Sequence, residues 1–423
     1  MCYTIDTIGG DCVEKMIVVK GHKILLETTE EHNQLFIRWC GIARWSYNYG
    51  LGQKKEAYEE TRKSPGAYAL MKEIVILKQS DEYAWLADAP KSIPRMALLQ
   101  LETAYANFFR RVKEEAEKKG FPKFKSKRTA KMAFHLEPDA IKVDGNRVRI
   151  PKPGWLRMHQ GIRWDGKIVG SVRVSKTAGK WYISFNVKVE IDDPIENQER
   201  VAVGLDVGIR SLAVLSDGKK FDNPRAFYRL ERLLARAQRQ MTGKQRGSNG
   251  WKKARLRVQC IHKRIADSRA NATHQVSSYV AANYDGVAIE DLNIRGMSKN
   301  HHLAKSILDA NFAELHRQLT YKMAWAGGEV KQVDRFFPSS KLYSVCGLIN
   351  DELVLADREW TCKCGSHHDR DQNAATNLAT KCFDDPGVDG SCAWRVKCSE
   401  APYEARTSFE GRTKKGVLIK PAI

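Results

Sequence analysis

The distribution of apolar and polar residues changes twice along the chain, and each texture predicts a different kind of structure. The first texture is helical, because apolar residues recur at intervals of three and four over residues 96–113, which is the spacing of one helix face. Thr29 and the two acids after it are residue types that favour a helix start. We therefore predict helices from about residue 30 to about residue 118, after one or two opening strands in residues 15–27.

The second texture covers residues 132–190, where apolar and polar residues alternate between clusters of turn residues. Alternation with a period of two places successive side chains on opposite faces of a strand. The segment Asp144-Gly145-Asn146 is a hairpin signal, since these residue types accept the backbone angles of a tight turn. This texture predicts a small antiparallel β domain, which we expect to close as a barrel.

The third texture begins at Val201, after a polar linker over residues 192–200, and alternates short apolar strands with helices. Strands are predicted at residues 201–205, 212–215, 286–290 and 329–333, and helices at residues 225–282, 311–326 and from Asp371 onward. Strands and helices that alternate in this way favour an α/β layered domain.

The charge of the chain points to a polyanionic partner. The 423 residues include 71 Lys and Arg against 50 Asp and Glu, a net charge of +21. The charge is clustered: residues 225–269 hold fourteen Lys and Arg against two acids, and residues 110–131 hold ten against three. Clustering favours nucleic acid over a solvated basic surface. No apolar run approaches the ~18–20 residues that cross a bilayer, and no secretion signal is evident at the N-terminus, so we expect no membrane partner.

Three acidic residues lie where predicted strands end or a predicted helix begins. Asp206 follows the apolar run 201–205, Glu290 ends the run 287–289, and Asp371 opens the last helix. A single strand-end Asp is more often a turn former or a helix cap, but a buried charge is costly unless it is used. Together the three acids match phosphodiester cleavage, in which two Mg²⁺ ions bind several converging carboxylates.

The neighbouring acids Glu290 and Asp291 cannot both point to one site, because successive side chains on a strand face opposite ways. We choose Glu290, since the apolar positions lead into it. The sequence by itself leaves this choice open.

The segments around the three acids resemble the three split RuvC motifs of the TnpB family, the transposon-encoded RNA-guided DNA nucleases from which compact type V CRISPR effectors descend. These segments are Val203–Gly218, Ile289–Met297 and His368–Asn377. The resemblance extends over nearly the whole chain and also includes Leu101–Lys113, Gly120–Lys127 and Val333–Lys341. In that family the positions matching Asp206, Glu290 and Asp371 are the catalytic, Mg²⁺-binding triad.

The resemblance implies a multidomain fold of α/β, α and β parts, with a ribonuclease H-like RuvC nuclease domain, a helical recognition lobe and a β-barrel wedge domain. The implied boundaries are residues 1–30 and 126–198 for the wedge domain, 31–125 for the recognition lobe, 199–340 and 367–423 for the nuclease domain and its tail, and 341–366 for a cysteine-containing insert resembling a degenerate zinc finger.

The cysteine segment departs from the family pattern, which usually has two Cys-x-x-Cys pairs around a tetrahedral Zn²⁺. Tyr343 stands where the first Cys is expected, and the second pair is the short Cys362-Lys-Cys364. Two interpretations remain open. One is a zinc site made by Cys346, Cys362, Cys364 and His367; the other is a finger that has lost its metal and survives as a packed loop.

Basic residues supply the predicted nucleic-acid contacts. Arginines recur at three- and four-residue intervals after residue 225 and leave Leu233 and Leu234 free to face the protein. The stretch 118–128 interleaves Phe121 and Phe124 with cations, as in sites where bases stack, although both rings could instead be core anchors. The predicted contacts are Arg110, Arg111, Lys123, Lys125, Lys127, Arg128, Arg229, Arg232, Arg236, Arg239, Lys252, Lys253 and Arg255. From the resemblance, Tyr68, Lys91 and Arg95 match the region that reads the target-adjacent motif.

The sequence therefore predicts an RNA-guided, Mg²⁺-dependent DNA endonuclease with guide RNA and double-stranded target DNA as partners. We expect a monomer in the prokaryotic cytoplasm, associated with the nucleoid, where its isolated cysteines stay reduced. Two alternatives remain: a guided DNA-binding repressor with impaired nuclease activity, and an unguided nuclease of the Holliday-junction-resolving kind. The motifs do not separate a transposon-encoded protein from a CRISPR effector.

Overall fold

The structure is a computed structural model that describes residues 2–4, 15–192, 200–354, 357–362, 365–383 and 394–398. It divides into two compact units, residues 1–192 and residues 193–423, which we call the N-terminal unit and the C-terminal unit. In the described residues, no helix is both long and apolar enough to cross a membrane.

The helical part of the N-terminal unit begins where the sequence predicts. The Thr29 hydroxyl accepts a hydrogen bond of 3.3 Å from the backbone N–H of His32, and the His32 ring accepts one of 3.3 Å from the N–H of Thr29. This reciprocal cap satisfies two N–H groups that a helix start leaves unpaired. The helices of this unit are α1 (Glu30–Thr61), α2 (Ala67–Leu77) and α3 (Ser92–Lys113), with a 3₁₀ segment at Asp81–Asp88.

The strands of the N-terminal unit pair antiparallel in two sheets. They are β1 (Cys2–Thr4), β2 (Lys15–Leu26), β3 (Ala133–Leu136), β4 (Lys142–Asp144), β5 (Arg147–Ile150), β6 (Gly154–Arg157), β7 (Lys167–Ile168), β8 (Val172–Thr177) and β9 (Lys180–Asp192). One sheet has the order β1-β2-β9-β8-β3 with β7 on β9, and the other has the order β4-β5-β6. The hairpin predicted at residues 144–146 joins β4 to β5, with Gly145 at φ +53°. Closure of these strands into a barrel stays a prediction.

Helices and sheets of the N-terminal unit share one apolar core. The ring centroid of Phe36 on α1 lies 5.4 Å from that of Phe134 on β3 and 5.1 Å from that of Trp181 on β9. Val148 on β5 and Leu98 on α3 belong to the same buried cluster. Burial therefore ties the helical segment to both sheets.

The apolar runs of the third texture form a sheet in the C-terminal unit. Its strands are β10 (Arg200–Asp206), β11 (Ser211–Leu215), β12 (Lys220–Asp222), β13 (Gly286–Glu290), β14 (Glu329–Val333) and β17 (Trp394–Val396), and β15 (Glu359–Thr361) pairs separately with β16 (His367–Asp369). The helices are α4 (Ala226–Thr242), α5 (Asn249–Asn283), α6 (Ile294–Met297), α7 (Ala304–Ala310), α8 (Phe312–Trp325) and α9 (Arg370–Phe383).

The order of this sheet is β12-β11-β10-β13-β14, with β17 beside the start of β10. Strands β10, β13 and β14 are parallel, whereas β11 runs antiparallel to both β10 and β12. Helices α5 and α8 cover the face formed by Val203 and Val287, and α9 covers the face formed by Ala202 and Ala288. The unit is thus an α/β layered structure, and the carboxyl ends of β10 and β13 lie at one edge of the sheet.

Candidate active site

Asp206 and Glu290 end neighbouring parallel strands at the same level. Leu205 is paired with Ile289 in the register of β10 and β13, and Asp206 and Glu290 are the residues that follow this pair. Side chains alternate along a strand. Asp206 therefore points to the same face of the sheet as Ala202, and Glu290 points to the same face as Ala288, which lies under α9. Both carboxylates therefore lie on the α9 side of the sheet.

Helix α9 reaches this edge because the strands beneath it carry no bulk. A Cβ atom added to Gly204 would lie 1.7 Å from the carbonyl oxygen of Ala375 and 2.9 Å from the backbone nitrogen of Ala379. The backbone of α9 thus rests directly on β10. This close approach brings the first turn of α9, which contains Asp371, to the end of the strand that carries Asp206.

The three acids act on one another electrostatically. Burial raises the pKa of Asp206 well above its ordinary value, and the negative charges of Glu290 and Asp371 raise it further. The cation of Arg370 and a hydrogen bond from the backbone N–H of Val207 oppose this rise. Like charges disfavour one another's ionised forms at short range, so the structure brings together the three acids that the sequence singled out.

Glu290 and Asp371 each have a partner that sequence reasoning missed. The Ser339 hydroxyl donates a hydrogen bond to Glu290, and a terminal guanidinium nitrogen of Arg358 lies 3.4 Å from a carboxylate oxygen of Asp371. Ser339 belongs to the segment 333–341, whose only signal in the sequence is its resemblance to the family. Nothing in the sequence pointed to Arg358.

Asp291 points into different contacts. It is paired with Arg335 and accepts a hydrogen bond of 3.1 Å from the amide of Gln332. The loop after β14 is therefore fixed at both ends. Arg335 contacts Asp291 at one end, and Ser339 contacts Glu290 at the other. Between them the Phe336 ring is 87% exposed, so the loop presents an aromatic surface beside the acids.

The donor set suits a hard divalent cation, because Mg²⁺ prefers carboxylate oxygens. Mutual repulsion among three carboxylates is also what a cation would relieve. In the described residues, however, no group of three or more His, Cys, Asp or Glu side chains is arranged to hold a metal ion. Ser339 and Arg358 contact two of the three carboxylates, Glu290 and Asp371 respectively.

The predicted zinc ligands do not assemble as a set within the described residues. The sulfur atoms of Cys346 and Cys362 lie 3.5 Å apart, whereas Cys364 lies outside the described residues. His367 is exposed, with its ring nitrogens 3.7 Å from a carboxylate oxygen of Glu359 and 3.4 Å from the hydroxyl of Thr361. Zinc binding at these positions stays a prediction.

Aromatic packing holds the same segment together. His368 is 5% exposed. Its ring centroid lies 5.4 Å from that of Tyr343 and 5.9 Å from that of Trp360, at interplanar angles of 28° and 27°. Tyr343 is the residue at the position of the missing Cys. An aromatic contact thus joins strands β15 and β16 to the start of the insert.

The predicted nucleic-acid contacts of the C-terminal unit lie on an exposed face of α4 and α5. Leu234 and Ala237 on α4 pack with Val258, Ile261 and Ile265 on α5, as the apolar stripe predicts. The exposed residues are Arg229, Arg232, Arg236, Arg239, Lys252, Lys253 and Arg255. The two acids of this basic segment are engaged by lysines, Glu231 by Lys305 and Asp267 by Lys263.

The predicted contacts of the N-terminal unit are also exposed, apart from Lys125. They are Arg110, Arg111, Lys123, Lys127 and Arg128, and Lys125 is half-buried. Phe121 is 43% exposed and Phe124 is 56% exposed, with the ammonium of Lys55 lying 5.6 Å and 4.9 Å from their ring centroids. Neither ring is buried in the core, although Phe121 also packs edge-on against Tyr105 and Phe108 on α3.

Two of the three residues predicted to read the target-adjacent motif touch each other. The guanidinium of Arg95 lies 5.9 Å from the ring centroid of Tyr68, and it also forms an ion pair of 2.9 Å with Glu137. Tyr68 is 65% exposed. Lys91 is exposed one turn before Arg95, and its carbonyl accepts a hydrogen bond of 3.4 Å from the N–H of Arg95.

Models of three protein families match this chain. Residues 184–301 match a family described as a probable transposase, residues 312–378 match a Cas12f1-like TNB domain, and residues 16–63 match a helix-turn-helix domain. In the structure the last range holds strand β2 and the single long helix α1. The matches assign the chain to the class of transposase-related proteins.

Curated relatives narrow this class. A Streptomyces pristinaespiralis protein is 33% identical over 402 residues, 92% of this chain and 97% of that protein. The Escherichia coli protein InsQ is 34% identical over 359 residues, 81% of this chain and 87% of that protein. Both are named as RNA-guided DNA endonucleases. The chain belongs to the TnpB family.

Solved structures of compact CRISPR effectors are more distant. A Cas12f1 complex with single guide RNA and target DNA covers 88% of this chain and all of that chain, at 14% identity and a TM-score of 0.34. A Cas12f ternary complex covers 85% of this chain and 83% of that chain, at 15% identity and a TM-score of 0.35. The fold described above rests on the strand pairing of this chain alone.

Proposed function

We propose that this protein is an RNA-guided DNA endonuclease that cleaves phosphodiester bonds at Asp206, Glu290 and Asp371. The observation that carries the proposal is the convergence of these acids at one sheet edge, where two of them raise the pKa of the third. The names of its relatives, which describe RNA-guided DNA endonucleases, support the same function.

The C-terminal unit supports assignment to the ribonuclease H-like fold. A central parallel strand flanked on one side by an antiparallel pair and on the other by two parallel strands is the arrangement expected for that fold, and β10 has this position. We assign the RuvC nuclease domain to residues 199–340 and 367–423, and the insert to residues 341–366. In the N-terminal unit, residues 31–125 are the recognition lobe and residues 1–30 and 126–198 the wedge domain.

The side chains at the site have different roles in cleavage. Asp206, Glu290 and Asp371 hold the reaction centre, and two Mg²⁺ ions bound by their oxygens would stabilise the attacking and leaving oxygens of the phosphodiester. Ser339 orients Glu290, and Arg335 fixes the loop through Asp291. The exposed Phe336 ring stacks on a base of the nucleic-acid strand that is bound at the three acids, since every base offers a flat face.

The basic surfaces support the proposed partners. Guide RNA and the heteroduplex it forms with target DNA contact the exposed arginines of α4, because a heteroduplex is held by its backbone and shape. Tyr68, Lys91 and Arg95 read the short motif beside the target. The protein acts as a monomer in the prokaryotic cytoplasm, at the nucleoid.

Cleavage of a guide-matched plasmid tests this function. Asp206→Asn and Glu290→Gln should each lower cleavage by at least about 100-fold, a loss of roughly 3 kcal/mol of transition-state stabilisation, while guide-dependent DNA binding persists. Asp291→Asn is the matched comparison: it removes the charge that faces Arg335 and should lower cleavage much less than Glu290→Gln does. If Asp291→Asn abolishes cutting and Glu290→Gln does not, the assignment of Glu290 is wrong.

One observation favours a second function, a guided DNA-binding repressor. The ion pair of Arg358 with Asp371 would compete with metal binding by that acid, and Arg358 lies in the predicted insert, where Tyr343 stands at the position of the expected first Cys. If this contact suppresses activity, Arg358→Gln should increase cleavage several-fold. If both the wild type and the Arg358→Gln protein bind guide-matched DNA tightly but leave it intact in Mg²⁺, the protein is a repressor.

Sequencing the RNA that co-purifies with the protein tests guidance itself. One discrete RNA species whose variable end directs binding supports guided action. Cleavage of four-way junctions without any RNA would instead identify an unguided, junction-resolving nuclease.

A further inference from the structure

A cavity of about 610 Å³ in the N-terminal unit is lined by many cations and no acid. It lies between α1, α3, β3 and β8 and the basic segment before β3. Its basic lining residues are Arg38, Arg44, Lys125, Lys127, Lys131 and Arg173, and His135 also lines it. Most cations of this protein lie on open surface, where water screens them at little cost. In a cavity the same charges repel one another in a lower dielectric.

One lysine of this cavity, Lys125, is destabilised as a cation by its surroundings. Burial lowers the pKa of Lys125 to about 8. Burial also lowers the pKa of His135 to about 4, and the charges of Arg173 and Lys125 lower it further. The ammonium of Lys125 lies 3.5 Å from the ring centroid of Tyr47, so an aromatic face compensates for part of its lost hydration.

Arg173 is a cationic donor at the wall of this cavity whose Nε atom can take a further acceptor. Its Nε atom is buried and has no hydrogen-bond partner, although a guanidinium N–H left unpaired inside a protein costs about 1–3 kcal/mol. The side chain extends from β8, whose backbone is held between β3 and β9. The protein therefore fixes an unpaired cationic donor at the wall of the cavity.

We propose that this cavity is a phosphate-binding site that takes one nucleotide unit of a nucleic-acid strand. A guanidinium and an ammonium are the groups that pair with phosphate oxygens, and the volume exceeds that of a lone phosphate and falls within the range of small-molecule sites, about 300–1,000 Å³. Lys127 and Lys131 are exposed at this cavity. A strand offers flanking phosphates to these two lysines, whereas a free nucleotide does not.

This inference rests on the proposed function only for the source of the phosphate. The cavity belongs to the N-terminal unit, whereas the three acids belong to the C-terminal unit. Loss of cleavage in an Asp206→Asn protein therefore leaves binding at the cavity unchanged. A cavity variant, in turn, is scored by binding and needs no cleavage.

The test measures binding of a fluorescein-labelled 25-base-pair DNA duplex to the full-length protein, freed of co-purified RNA, between 50 and 200 mM salt. Arg173→Met and Lys125→Met should each weaken binding about tenfold and lower the slope of log K against log salt by about 1, as expected when one phosphate is no longer neutralised. The matched control is Arg149→Met, an exposed arginine on β5 outside the cavity, which should change affinity less than twofold.

Two outcomes would overturn the proposal. One is that Arg173→Met and Lys125→Met leave affinity and salt slope within twofold of the Arg149→Met protein. The other is that deoxyadenosine monophosphate alone binds as tightly as the duplex and loses its affinity in both variants, which would make a free nucleotide the ligand. Because Arg173→Met changes a sheet residue, its melting temperature is measured, and Lys125→Met decides the result if that protein fails to fold.

Discussion

Asp206 is an acid whose ionised form is disfavoured both by burial and by neighbouring negative charges. Burial and the two neighbouring carboxylates all raise its pKa, so its ionised form is disfavoured in the folded protein. Such an arrangement costs stability and is common where a protein uses the charge. The cost itself can be measured.

The pH dependence of stability follows from this direction. Unfolded, Asp206 ionises near its ordinary value of 3.8, and folded it ionises at higher pH. Its contribution to the free energy of unfolding is therefore present below pH 3.8 and is lost as the pH rises through the folded pKa. In metal-free buffer at pH 7, Asp206→Asn should raise the melting temperature by about 2–4 °C, equivalent to roughly 1 kcal/mol, and the difference should vanish near pH 3.

The control for this prediction has the opposite sign. Burial acts to raise the pKa of Asp369, but hydrogen bonds from the ammonium of Lys220 and the backbone N–H of Gln372 lower it overall. Its ionised form is stabilising, so Asp369→Asn should lower the melting temperature at pH 7.

Added Mg²⁺ should stabilise the wild type more than the Asp206→Asn protein, because only the wild type keeps all three acids. Equal responses to Mg²⁺ would contradict the assigned site.

At the scale of elements, the packing of α9 on the sheet decides whether the site exists. Ala202 and Ala288 line the strand face under this helix, and Gly204 lies where its backbone touches β10. Any larger residue there would lift α9 and carry Asp371 away from Asp206. Small residues on one strand face are thus a requirement of the site as much as of the core.

Gly204→Ala tests this packing. The added methyl group would overlap the carbonyl oxygen of Ala375, so we expect a loss of at least about 2–3 kcal/mol in stability, in the range of overpacked cores, together with loss of cleavage. The matched control is Gly52→Ala on α1, where nothing lies within 4 Å of the added atom. That change should stabilise the protein by about 0.5–1 kcal/mol. Thermal unfolding of both variants measures these changes. An unchanged stability in the Gly204→Ala protein would contradict the close packing of α9 on β10.

At the scale of the whole molecule, the basic residues that give the net charge of +21 include those on exposed helices and six that line a cavity. Exposed cations bind phosphates by releasing counterions, which makes affinity fall steeply with salt. The exposed face of α4 and the cavity of the N-terminal unit should therefore respond to salt through the same mechanism but at separate sites.

The α4 face is tested by removing two of its arginines together. Arg232→Gln with Arg236→Gln should weaken binding of an RNA–DNA heteroduplex and lower the salt slope by about 2, roughly one unit for each phosphate that is no longer neutralised. Both residues are exposed, so the fold should persist. Substituting Lys142 and Arg147, exposed on β4 and β5, gives a control of equal charge change. A heteroduplex affinity that falls equally in the control would contradict a specific role for α4.

Much of this protein could be predicted from its sequence, because local patterns act over a few residues. The alternating apolar runs predicted β10, β13 and β14, and the basic periodicity of α4 predicted both its exposed and its buried side. The choice between Glu290 and Asp291 stayed open in the sequence, because only the packing of α9 shows that the strand face of Ala288, which Glu290 shares, is the one under that helix.

Only the tertiary structure decided how distant residues meet. The contact of Arg358 with Asp371 and the anchoring of the Phe336 loop by Ser339 join segments whose spacing carries no signal. The acid-free cavity draws residues from four elements and from the segment before β3, between positions 37 and 173. Periodicity fixes which way a side chain points within its own element, whereas desolvation and charge at a site depend on which elements pack together.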